Sequence, residues 1–408
     1  MVRTNPLKAI KRGVECINPS DLISFNLFLL LPVILPFVRR AGPPILVATG
    51  LFAAFWLWRE GKLKGVLNSH LRNPVTLLFL AFMCWATITL AWSPWPQRGL
   101  ASIAICSSLV ISFLMVSEFS LSGQFRKFLG IGLSIGCTII LIDISSGAHL
   151  LRIIHGSEPN LWQYNIVAVI YCVMGIAFAG RKYFFTSPTV LVTLILLYIS
   201  TLLGSSETAK LVLLLSPILY LFAHVVPNVA LRSISFCVFF LLFLFASAGF
   251  PGLAAVKIII PTSFWVDANA DHRIAIWSSF ADFSLHGLPY GWGIDATAAS
   301  NRTAYFLAAT QEVQAGISRW HPHNNILQIS AELGVPGLIF AFAILIGVIS
   351  RNLSTADQRN RGFIVFISAI FVIACISHGF WQSWWWTTVL IGYLAISGRI
   401  ENEELSLS

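Results

Sequence analysis

Residues 321–337 read HPHNNILQISAELGVPG and stand between a long polar segment and an apolar run of helical length. They set His321, His323, Asn324, Asn325, Gln328 and Glu332 at the mouth of a membrane span. Polar and ionisable groups are costly in such a place, and by default they mark a functional site. The remainder of the chain says where that mouth opens.

Hydrophobic residues make up 57% of the 408 positions and charged residues 11%. Soluble globular chains carry about a quarter charged residues, so this one is built for lipid. Apolar runs long enough to cross a bilayer core recur from end to end, and the short alternating segments of a β-barrel are not seen. The expected fold is an all-α polytopic membrane protein. The seven cysteines are scattered without C-x-x-C or Cys/His ligand spacing, so neither a disulfide framework nor a metal site is expected. The first apolar run lacks a small-residue cleavage site and is expected to stay as a span. The net charge of +9 sits in short loops between apolar runs, where it reads as a topology signal and not as a nucleic-acid surface.

About twelve spans are expected, near 22–38, 42–58, 74–92, 99–117, 126–145, 161–179, 187–204, 208–226, 231–250, 324–350, 362–380 and 383–398. With the N-terminus in the cytoplasm, 17 of the 26 Lys and Arg residues fall on the cytoplasmic side. Leaving aside the long segment 251–320, the opposite side keeps only five: Arg39, Arg40, Arg98, Arg152 and Lys210. Short loops decide orientation, so both termini are expected inside and 251–320 outside. The chain divides accordingly into a membrane bundle over 1–250, an extramembrane loop domain over 251–323, and a last set of spans with the C-terminus over 324–408. Within the loop domain, Ile274, Trp277, Phe280 and Ala281 have helical spacing, and the turn-rich stretch Gly287–Gly293 follows.

Chemistry is expected at the 321–332 cluster. Asn324 is a good N-cap for the span after it, and Asn325, Gln328 and Glu332 follow at i, i+3 and i+7 on one helix stripe. A neutral imidazole is the natural general base near neutral pH. Trp381, Trp384, Trp385 and Trp386 read as an interfacial aromatic belt.

His323-Asn324, nine residues, Gly334, two residues and Gly337 resemble the signature of the O-antigen ligase family, the Wzy_C-type bacterial polysaccharide ligases and polymerases. Arg273-x-x-x-Trp277 with the following glycine-rich stretch resembles that family's loop arginine segment. The likeness is close in the C-terminal half and only topological in the N-terminal half. It implies a helical bundle like the C-type glycosyltransferases, capped by a periplasmic loop, in the bacterial inner membrane with its active site facing the periplasm. It further implies an enzyme that moves a glycan from undecaprenyl diphosphate to a sugar acceptor, without nucleotide sugar, cofactor or metal. The acceptor is lipid A–core oligosaccharide in the ligases and another lipid-linked repeat in the polymerases. The H-P-H-N form with Gln328 and Glu332 favours the ligase. Besides glycan donor and acceptor, only membrane lipids are expected as partners.

By that likeness His323 is the base and Arg273 the main clamp on the diphosphate, whose growing charge asks for fixed cations. His321, Asn324, Gln328 and Glu332 are expected to line the substrate. The family's second arginine has no counterpart in Ser205-Ser206-Glu207-Thr208-Ala209-Lys210. Either Lys210 supplies the second cation one turn later, or it pairs locally with Glu207 and contributes nothing catalytic. A transporter with the stripe along its path is the alternative from another class, although the sequence shows no internal repeat.

Overall fold

The structure is a computed structural model that describes residues 18–155, 164–180, 188–226, 228–249, 270–318, 321–353 and 359–400. Asn160, Lys257, Arg319, the Arg181–Lys182 pair and the first part of the 251–320 segment lie outside the described residues. In chain order the helices are α1 Pro19–Ile34, α2 Gly42–Arg59, α3 Leu63–Leu71, α4 Pro74–Ile88, α5 Pro96–Val116, α6 Phe125–Ser145, α7 His149–His155, α8 Asn165–Ala179 and α9 Pro188–Leu203. There follow α10 Glu207–Val225, α11 Asn228–Ser247, α12 Ala270–Gly287, a 3-10 helix Ala296–Arg302, α13 Ala304–Ala308, α14 Gln311–Ile317, α15 Asn325–Asn352, α16 Arg359–Ile376 and α17 Ser383–Ser397.

The helices start where local chemistry asks for it. Asn18-Pro19 and Asn73-Pro74 each place an asparagine whose side chain accepts a first-turn N–H ahead of a proline that needs no donor. Asn324 caps α15 with two such bonds, from Ile326 and Leu327 N–H, both at 3.0 Å.

Among the described residues, five helices of at least 18 residues are long and apolar enough to cross a membrane: Pro74–Ala91, Pro96–Val116, Phe125–Ser145, Glu207–Val225 and Asn325–Asn352. Shorter apolar helices accompany them, among them Pro19–Ile34 and Asn165–Ala179. Many large apolar side chains point outward, including Leu51, Phe55, Trp58, Ile111, Ile142, Leu214, Leu221, Leu241 and Ile339. Soluble monomers rarely expose so much apolar surface, so the outer faces are built for a lipid solvent.

The chain forms two compact units that interleave along the sequence. The first comprises Met1–Asn68, Leu109–Ser206 and Leu390–Ser408. There α1 carries a π turn over Asn26–Leu30, and Pro32 leaves the Phe28 carbonyl without its helical donor. Gly132 and Gly136 let α6 press against that turn, and Tyr171 donates to the Pro32 carbonyl.

The second unit, Ser69–Ser108 and Glu207–Val389, holds every residue nominated above. Its α15 packs on α4, α11 and α12, while α10 packs on α16. One core joins Phe82, Met83, Cys106, Ile294, Ile329 and Leu333; another joins Ile276, Trp277, Phe280, Phe283, Ile317 and Leu327. On α12 the buried stripe is therefore 276/277/280/283; Ile274 is only half-buried, because Ile276 takes the inward position.

Candidate active site

The site is organised by a break in α15. Pro336 has no N–H, so the Glu332 carbonyl loses its helical donor, and Gly334 lies at φ 63°, ψ −156°, a conformation that L side chains rarely adopt. Residues 289–293 lie against the break and take over its hydrogen bonds. Gly293 N–H donates to the Glu332 carbonyl, Trp292 N–H to the Ala331 carbonyl and Val335 N–H to the Pro289 carbonyl, all at 2.9 Å. Gly291, at φ 77°, and Gly334 allow this approach; a Cβ on either would collide with the opposing backbone. The two glycines that the sequence shows in different segments therefore serve one contact.

Beyond the break, the loop is pinned to the turn between α4 and α5. Ile294 N–H donates to Thr89 Oγ1 at 3.1 Å, Ser93 Oγ to the Ile294 carbonyl at 2.7 Å, and Trp92 Nε1 to the Gly291 carbonyl at 3.0 Å. Glu332 is completely buried. Its carboxylate accepts from Asp295 N–H (2.9 Å), Thr297 N–H (3.3 Å), the Thr297 hydroxyl, Gln328 Nε2 (3.0 Å) and Trp381 Nε1 (2.6 Å). Gln328 Oε1 in turn accepts from Phe380 N–H at 2.7 Å. Gln328 and Glu332 thus face protein donors and hold 295–297 and 380–381 in place. Asp295 accepts from Ser102 Oγ at 2.5 Å and from Arg98 Nε at 3.3 Å. Burial raises its pKa, and the Ser102 bond and the Arg98 charge oppose that shift.

The two histidines are stacked edge to face, with ring centroids 4.4 Å apart. His323 has a left-handed backbone, φ 54°, which turns its N–H onto His321 Nδ1 at 3.2 Å. Its own Nδ1 lies 2.6 Å from the Ser377 carbonyl, which can only accept. The neutral His323 ring must therefore carry its hydrogen on Nδ1 and its lone pair on Nε2. The same reasoning puts the His321 hydrogen on Nε2, 3.1 Å from the Gln382 carboxamide, whose oxygen belongs opposite it. Burial, the neighbouring His323 and the Arg98 charge depress the His321 pKa to about 3, so this ring stays neutral. His378 is held well below the ordinary value too, mainly by burial, with His321, His323 and Arg273 adding to it.

Arg273 and Trp277 are one helical turn apart and reach the same place. Arg273 Nη1 donates to the Ile376 carbonyl at 2.6 Å, one residue from the carbonyl that holds His323. Trp277 Nε1 donates to the Pro322 carbonyl at 2.8 Å. The spacing therefore ties both the 376–377 and the 322–323 backbone to one helix face. Burial lowers the Arg273 pKa and the Glu207 charge counters it; a guanidinium remains charged regardless.

Lys210 donates to Glu207 Oε1 at 2.9 Å, the local pair that was one of its two readings. Asn324 is buried, and its Nδ2 donates to the Ala246 carbonyl at 2.9 Å. Asn325 is also buried, and among the described residues its Oδ1 has no hydrogen-bond partner. Sequence reasoning did not nominate Ser377, His378, Gln382, Asp295 or Thr297. Trp381 was read as part of a lipid belt, yet it bonds Glu332, and Trp384 and Trp385 are buried in the protein. A usable signal existed: His378 and Gln382 are polar groups in the short gap between the last two apolar runs.

Comparison with known proteins gives the class. The O-antigen ligase family model matches residues 189–342, a stretch that contains every nominated site residue. A Rickettsia felis protein named "Putative polysaccharide ligase" is 24% identical over 82% of this chain and 87% of its own length. A Rickettsia bellii protein of the same name is 23% identical over 77% and 79%. Another, from Rickettsia conorii, is 33% identical over 31% of this chain, a match that spans only 32% of that relative's length. On these matches residues 189–342 are similar to the O-antigen ligase family, and the long apolar helices fit a membrane protein.

Two outcomes test this geometry. Gly334→Ala should lower the thermal midpoint of the detergent-solubilised protein by an amount corresponding to about 1–3 kcal/mol, the cost of a forbidden backbone conformation; an unchanged midpoint would show that the break tolerates a side chain. A histidine whose pKa is depressed on folding releases its proton on folding, so stability is full above the unfolded pKa of about 6.5 and falls as pH drops below it. For His321 the loss should run down toward pH about 3. His321→Asn, whose Oδ1 can still accept from the 323 N–H, should flatten the midpoint-against-pH curve in that window. A curve with the wild-type slope would place the titration elsewhere.

Proposed function

We propose that this protein transfers a glycan from undecaprenyl diphosphate to the lipid A–core oligosaccharide, at the periplasmic face of a bacterial inner membrane and without a metal. The observation that carries the reading is the placement of His323 and Arg273 on adjacent carbonyls, Ser377 and Ile376. A base with its lone pair on Nε2 and a guanidinium are thereby held side by side at one mouth. The family match and the polysaccharide-ligase relatives support glycan transfer as the reaction.

In this mechanism an acceptor hydroxyl oxygen attacks the anomeric carbon of the donor. His323 Nε2 takes the hydroxyl proton as the new glycosidic bond forms. The bond from the anomeric carbon to the diphosphate oxygen breaks, and that oxygen keeps the electron pair. Arg273 faces the charge that grows on the diphosphate, a preorganised contact needing no reorganisation during reaction. The Ser377 carbonyl supports the resulting imidazolium through Nδ1–H. His321 and Gln382 act as positioning residues: they hold the left-handed backbone that aims the His323 ring. The twelve spans and the outward placement of the loop belong to the same proposal, supported by the short-loop charge ratio of 17 to 5.

With purified protein and a lipid-linked glycan donor, His323→Ala should abolish transfer while preserving the thermal midpoint and donor binding. Arg273→Lys keeps the charge but loses the fork, and should slow turnover on the order of a hundredfold. Near-normal turnover by a folded His323→Ala would remove the general base from the mechanism. For orientation, Gln311 is exposed, and a cysteine placed there should react with a membrane-impermeant thiol reagent in cells whose outer membrane alone is permeabilised. Labelling only after inner-membrane lysis would reverse the topology.

A further inference from the structure

Outside the histidine site, the same unit carries an aromatic and cationic surface to which nothing above assigns a role. Trp95 is half-buried in the turn before α5, and its ring receives two guanidiniums: Arg98 Cζ at 5.2 Å and Arg302 Cζ at 4.7 Å from the centroid. Two cations on one indole repel each other unless something anionic is nearby. Asp295 meets this demand for Arg98 through the 3.3 Å contact with Nε. Arg302 is exposed, and among the described residues it pairs with no carboxylate.

The surface is rigid. Arg302 ends the 3-10 helix, whose Ser300 hydroxyl donates to the Ile317 carbonyl at 2.6 Å, while Thr303 Oγ1 donates to the Ser300 carbonyl at 2.6 Å. Trp95 N–H donates to Ser93 Oγ at 3.1 Å, and Ser93 is itself bound to Ile294. Exposed Trp92 and Tyr290 each make a ring contact with Trp85. The surface is tied to the helix that follows the histidines through Asp295, which Arg98 contacts and whose N–H donates to Glu332. A flat indole offers a sugar face an apolar platform, and a planar guanidinium suits phosphate or carboxylate oxygens.

We infer that Trp95, Arg98 and Arg302 form a binding site for a phosphate-bearing saccharide, with the phosphate on the guanidiniums and the sugar against the part of the half-buried indole that they leave exposed. Under the function proposed above, on which this assignment of the occupant rests, the ligand is the phosphorylated saccharide of the acceptor. A phospholipid headgroup shares the phosphate but not the sugar face, so the two sources can be separated.

The test uses the full chain in phosphatidylcholine nanodiscs, with N-acetylglucosamine 1-phosphate as probe and binding read by saturation-transfer NMR. The probe should bind the wild type more tightly than either N-acetylglucosamine or inorganic phosphate. Arg302→Gln, at an exposed position where folding is not at stake, should weaken binding about tenfold, the worth of one charge-assisted hydrogen bond. Trp95→Leu should weaken the sugar phosphate while leaving inorganic phosphate unaffected. Equal binding by wild type and Arg302→Gln would overturn the site, as would indifference of the sugar phosphate to Trp95→Leu. Loss of probe binding in phosphatidylglycerol nanodiscs would make the occupant a lipid headgroup and overturn the saccharide assignment. In a transfer assay, Arg302→Gln should act on KM for a phosphorylated acceptor more than on kcat. Should the wild type show no transfer at all while the binding pattern holds, the site stands and the proposed reaction falls.

Discussion

The break of α15 at Gly334 and Pro336 is the constraint on which the rest of the site depends. An unbroken helix would satisfy its own carbonyls and leave residues 289–297 nothing to bind. Once proline removes a donor and glycine turns the chain away, polar backbone is bared within a helix long and apolar enough to cross a membrane, and in hydrocarbon each unmet group costs several kcal/mol. The loop at 289–293 meets that demand with its own N–H and C=O groups. A bend in one helix thus becomes the anchor of a loop from elsewhere in the sequence.

The carboxylate of Glu332 extends the same logic one turn away. A buried charge is tolerable only when donors surround it, and here the donors come from residues 295–297, 328 and 381. The group holds three stretches of chain in register: 295–297, its own helix and 381. With those stretches fixed, the backbone carbonyls at 376 and 377 can select the orientation of Arg273 and the tautomer of His323. What looks in sequence like a polar stripe for substrate meets protein donors along its length, and His323 stands just ahead of the helix that carries it.

Much of this was legible beforehand because membrane sequences are strongly constrained. The apolar runs, the Asn-Pro helix starts and the Asn324 cap follow from local rules. His323 and Arg273 stood out because ionisable groups at such positions are rare. Gln328 and Glu332 were equally conspicuous, but a polar side chain on a helix stripe has the same spacing whether it faces a ligand or another loop. Only the partner decides, and the partners at 295–297 and 380–381 lie 31 to 52 residues away. The tryptophans at 381–386 misled for a related reason: an amphipathic ring suits a lipid interface and a buried hydrogen bond equally well.

By itself the sequence determined the helical membrane class, the family signature and the identity of the paired histidines, because composition, periodicity and spacing are local quantities. Tertiary structure alone decided what each polar group addresses. It gave His321 to the backbone of His323, Lys210 to Glu207, and Trp381 to Glu332. It also brought Arg98 and Arg302, some two hundred positions apart in the chain, onto the ring of Trp95. The physical reason is common to all of these: a hydrogen bond or a ring contact depends on distance in space, and distance in space between remote segments is set by packing, not by any pattern within either segment.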